Sequence, residues 1–159
     1  MSQFALVWIH LIAAVSWVGG TIFLSLVLAP SYRALATKPD AGALFRTSAK
    51  RFRLVVWGAV AVLVLTGPML VLSHGWPLFE PARWPVPLGI KLVLVAALLL
   101  MTLSHDLALG PRVRAILALP PDKRTASDQI LLTAATWLPR AALVLSLGVL
   151  FTAVILARS

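Results

Sequence analysis

FALVWIHLIAAVSWVGGTIFLSLVLA, residues 4–29, is a run of 26 residues with one ionisable side chain, His10. A helix needs about 20 largely apolar residues to cross about 30 Å of hydrocarbon. The run has no period-two alternation, so it reads as a spanning helix and not as a barrel strand. It lacks a basic leading segment and is too long for a secretory signal, so it is expected to stay as a span. Three further runs qualify, at 54–72, 88–109 and 130–157, the last with Pro139 near its start. Pro30 and the pair Gly110-Pro111 predict the ends of the first and third. The expected fold is therefore all-α, an integral membrane four-helix bundle formed as one transmembrane domain over residues 1–159.

Composition agrees. The chain has 159 residues, 60% hydrophobic and only 12% charged, with a mean hydropathy of +0.96. Soluble domains carry about 45–50% apolar and about 25% charged residues, so lipid has to solvate most of this chain. The net charge is +9, and its distribution follows membrane topology. Arg33, Lys38, Arg46, Lys50, Arg51 and Arg53 flank or fill the first loop, and Arg112, Arg114, Lys123 and Arg124 the third. The second loop has Arg83 alone, beside Glu80. Positive loops stay inside, which predicts both termini outside and the 1–2 and 3–4 loops cytoplasmic, in the cytoplasmic (inner) membrane. Anionic headgroups, not nucleic acid, are the expected partners of these charges. Residues 31–52 read either as an amphipathic interfacial helix or as a solvated linker. The second loop, SHGWPLFEPARWPVP, has four prolines and two tryptophans, which predicts an irregular, rigid flap at the outer surface.

With no cysteine, disulfides, thiolate metal sites and iron–sulfur clusters are excluded. Ionisable groups within spans are costly and are functional candidates by default. His10 lies about two turns into the first span, and Ala13, Ala14, Trp17 and Thr21 follow on its face, which suggests a face turned to other helices. Lys91 lies one turn into the third span, where it either serves a site or snorkels to the interface. His105 follows Lys91 by 14 residues, about 21 Å along the helix and within about 40° of the same face. Asp106 beside it would orient the imidazole or pair with Arg53 or Arg140, making an inner-side polar cluster. His74 ends the second span, with Met69 five residues before it. Imidazole and thioether suit copper, so His10, His74 and Met69 form a possible copper site. Pro68, in Leu65-Thr66-Gly67-Pro68, is expected to kink the second helix and free a carbonyl.

The stretch Trp8-Ile-His10 to Trp17-Val-Gly19-Gly20 resembles the opening helix of two kinds of membrane protein, the copper-resistance protein D (CopD) family and the HemJ-type protoporphyrinogen oxidases. Arg51-Phe-Arg53 leading to Leu65-Thr66-Gly67, and Gly89-Ile-Lys91-Leu-Val-Leu-Val with a histidine near the far end, extend the likeness over residues 5–110. After Gly20 the chain reads Thr21-Ile-Phe-Leu-Ser-Leu, without the Pro-Arg pair of those oxidases. The HemJ likeness implies b-type haem, with His10 and Lys91 in the binding roles and Trp17 lining the pocket. The CopD likeness implies copper handling at the membrane. A third expectation stays open beside these: an accessory subunit of a larger membrane complex, or a homo-oligomer, in which the histidines only satisfy local hydrogen bonds. Whether the chain is an enzyme stays open as well.

Overall fold

The computed structural model describes residues 2–28, 30–31 and 41–158, with side chains in the last segment from Thr47 onward. Among the described residues five α-helices carry the fold: α1 (Gln3–Phe23), α2 (Ala41–Ser73), α3 (Val86–Ser104), α4 (Gly110–Ala118) and α5 (Ala126–Leu156). No strand occurs among the described residues. Among the described residues four continuous helical stretches are long and apolar enough to cross a membrane: Gln3–Leu28, Thr47–Ser73, Val86–Ala118 and Ala126–Leu156. The all-α, four-span architecture is thus as expected. In hydrocarbon each backbone N–H and C=O needs an internal partner, and a helix supplies one within its own segment.

The chain divides into two compact units, Met1–Pro85 and Val86–Ser159. In the first, α1 packs along α2; in the second, α3 packs along α5. Apolar burial drives little helix association in lipid, so close packing of small residues has to do it. In the first unit Leu6, Ala13 and Trp17 of α1 and Val56, Ala59, Val60 and Thr66 of α2 are buried. Gly20 lies so close to Phe52 that a Cβ there would overlap the phenyl ring. In the second unit a Cβ on Gly148 would come within 3.2 Å of Leu94 Cδ1.

The helix ends show where local rules compete. Ser2 caps α1, its Oγ accepting from the Ala5 amide at 3.3 Å. Thr125 and Asp128 form a reciprocal capping box on α5, which begins four residues earlier than the apolar run alone predicted. The helix that carries the second apolar run begins ahead of residue 54, because α2 is helical from Ala41; of the proposed interfacial segment, residues 32–40 lie outside the described residues. The third helix continues through Gly110-Pro111. A π-helical turn, His105–Leu109, joins α3 to α4, and the Gly110 amide donates to the His105 carbonyl. The wider turn relieves the clash that a proline ring makes with the preceding turn. A similar π turn, Leu24–Leu28, continues α1. Pro68 and Pro139 lie inside α2 and α5; Pro68 has no N–H to give the carbonyl four residues back.

Between α2 and α3 the proline-rich segment is irregular, as expected, and tied to itself. Trp84 Nε1–H donates to the Pro77 carbonyl at 2.6 Å. Gly75 takes a left-handed turn at φ +76°, and Pro81–Arg83 make one 3-10 turn.

Candidate functional site

His10 is half-buried on the face of α1 that meets α2. Its Nδ1 lies 2.7 Å from Thr66 Oγ1, and that hydroxyl donates its single proton to the Val62 carbonyl, also at 2.7 Å. With that proton on Val62, Thr66 Oγ1 can accept from the Nδ1–H tautomer of His10. In the neutral imidazole this leaves the lone pair on Nε2. A Cβ added at Gly67 would stand 3.8 Å from His10 Cε1, so the imidazole lies over the Thr66-Gly67 step, about two turns before His74. Thr66 is 7% exposed, so water does not reach that hydroxyl freely.

The other candidates fall in separate places. Trp17 is 4% exposed and fills the α1–α2 seam rather than an open cavity. Ala13 is buried with it, while Ala14 and Thr21 are half-buried, so the predicted face does turn to a helix. Met69 and His74 are exposed. His74 Nδ1–H donates to the Leu70 carbonyl at 2.8 Å, and its ring stacks on Trp76 at 5.0 Å. Eight residues, about 12 Å along the axis, separate His74 from the Thr66 that holds His10. Beside the stack is a cup of about 450 Å³ lined by Leu72, Gly75, Trp76, Pro77 and Arg83; Arg83 is paired to Glu80 at 3.2 Å.

In the second unit Lys91 is half-buried, one turn into α3. His105 Nδ1 and Asp106 Oδ1 are 3.2 Å apart on the π turn, so the expected neighbours do meet. Thr102 turns its hydroxyl onto the Leu98 carbonyl at 2.8 Å. Arg53 is exposed on α2, in the first unit. Arg140 lies over the Trp137 ring at 4.6 Å. A shallow groove of about 270 Å³ between α1 and α2 is walled by Ile9, Ile12, Ala13, Ser16, Val55, Gly58, Ala59 and Val62. The hydroxyl of Ser16 is given to the Ile12 carbonyl. No group of three or more His, Cys, Asp or Glu side chains gathers into a metal site among the described residues.

A family model, described as a domain of unknown function, DUF4149, matches residues 12–119. The chain belongs to the DUF4149 family. The matched region starts two residues after His10, holds Trp17, Thr66-Gly67-Pro68, Lys91 and the π turn at His105, and ends before α5. No curated protein and no solved structure matches the chain.

Thr66 is the residue that the sequence did not single out. Its only signal is a hydroxyl in an apolar run, and that signal does not say which residue of another helix lies opposite.

Proposed function

We propose that this DUF4149 protein holds a redox metal centre in the cytoplasmic membrane, with both termini outside, and that His10 supplies Nε2 to a b-type haem iron. The observation that carries this is the chain His10 Nδ1–H, Thr66 Oγ1, Val62 carbonyl. Metal-bound histidines as a rule donate their other ring N–H to a fixed acceptor, which sets tautomer and orientation. A histidine already so held within a span fits that donor role. The resemblance extends the reading to Lys91, as a second ligand or a propionate partner. When bound, haem would supply one-electron chemistry, and the protein would tune it through the ligand's hydrogen bond and the apolar surroundings. The alternative, copper held by His10, Met69 and His74, requires three residues together, of which His74 is engaged with Leu70 and Trp76. The haem reading requires only the imidazole that is already positioned.

The test is an absorption spectrum of the purified protein, oxidised and then reduced with dithionite, with metal analysis of the same sample. A Soret band with α and β bands sharpening on reduction, lost in His10→Ala, is the expected result. Copper near one per chain without a Soret band would move the assignment to the copper set; neither metal would end the redox reading.

A further inference from the structure

Within the second unit the helices are much longer than a membrane is thick. Val86–Ala118 and Ala126–Leu156 run 33 and 31 residues, about 50 and 46 Å at 1.5 Å per residue, against about 30 Å of hydrocarbon. The Leu94–Gly148 contact sets the register of the antiparallel pair. Counting equally along both helices from that contact, Val86 is level with Leu156, and His105 is level with Trp137. The stretch between those two levels is about 29 Å, one hydrocarbon thickness. At its basic end stand the groups that mark a membrane interface: the His105–Asp106 pair, and Arg140 stacked on an exposed Trp137.

We propose that α4 and the first turns of α5 form a helical hairpin outside the hydrocarbon, and that its outer face is a docking surface for the anionic phospholipid headgroups of the surrounding bilayer. Ile116 is 7% exposed, and α4 contacts α5. Arg124 donates through Nε and Nη2 to the Leu119 carbonyl and holds the tip. Around the rest of the hairpin, cations stand among stranded apolar groups. Arg112 and Arg114 are exposed, and Leu117 and Ile130 are 55% and 71% exposed. From residue 110 to 140 there are five basic residues against two acidic ones, and one of those, Asp128, is committed to its cap. Apolar groups among arginines, next to an arginine–tryptophan anchor, match a headgroup layer, in which the cations meet phosphate and the leucines reach acyl carbons. A polar solvated loop would need neither Leu117 nor Ile130 at its surface.

The absence of cysteine makes the full chain ready for site labelling. A nitroxide at Ala118→Cys, with Val144→Cys as an in-span control, is read for collision with a water-soluble nickel chelate. The vesicles are phosphatidylcholine alone or with added phosphatidylglycerol. Accessibility at Ala118 is expected to drop several-fold when phosphatidylglycerol is added, and to recover in high salt and in Arg112→Gln/Arg114→Gln, while Val144 stays shielded throughout and reports correct insertion. Equal, high accessibility in both vesicles would overturn the proposal and leave the surface to a soluble acidic partner. Equal shielding regardless of lipid charge would also overturn it, since the segment would then lie in hydrocarbon or under protein.

Discussion

Thr66 shows how one hydroxyl determines what a histidine can do. Its proton goes to its own helix at Val62, so it can only accept from His10. Thr66→Val keeps the shape and removes the acceptor, while Thr66→Ser keeps the acceptor. Side-chain hydrogen bonds in membrane proteins average about 0.6 kcal/mol and reach about 1.7. Thr66→Val is therefore expected to cost about 1 kcal/mol in detergent unfolding and to mix the two imidazole tautomers in ¹⁵N NMR spectra, with Thr66→Ser close to the parent in both. An unchanged tautomer in Thr66→Val would show that another contact sets His10. The pairing was illegible in the sequence for a physical reason. It joins positions 56 apart, and the register that brings them together is a property of two packed helices, contained in neither run alone. His105 and Asp106, by contrast, are adjacent in sequence, and their contact was expected from that spacing.

At the scale of the helix, the apolar runs were easy to read and their ends were not. Hydrophobic length reports where lipid can be, and that signal is strong in all four spans. Helix ends depend on capping and on proline geometry, and here a π turn carries the third helix through Gly110-Pro111 while a capping box starts the fifth early. Packing between elements turns on close contacts such as Gly20 against Phe52. Gly20→Leu is expected to destabilise the α1–α2 pair by about 1–3 kcal/mol, the usual range for overpacking. Adding Phe52→Ala should recover much of that loss, because the ring it would strike is gone. A double-mutant cycle from thermal unfolding in detergent measures the coupling; additive effects would place the clash elsewhere.

For the whole molecule, charge fixes the expected orientation. The basic residues gather where α1 finishes and α2 begins, and again around α4 and the tip before α5, while the 74–85 segment has one paired arginine. Labelling of single cysteines by a membrane-impermeant maleimide in intact cells should mark Phe79→Cys, whose parent side chain is 94% exposed, and leave Ala115→Cys unmarked until the cells are opened. The reverse pattern would invert the topology and with it the side from which His10 is reached. The division of the chain at Pro85 and Val86 bears on how it is made. The seam of each pair joins helices that follow one another within a single half of the chain. The first pair can close while the ribosome is still synthesising the second, and the second closes on partners made after residue 85. Biogenesis can then proceed hairpin by hairpin, in the order of translation.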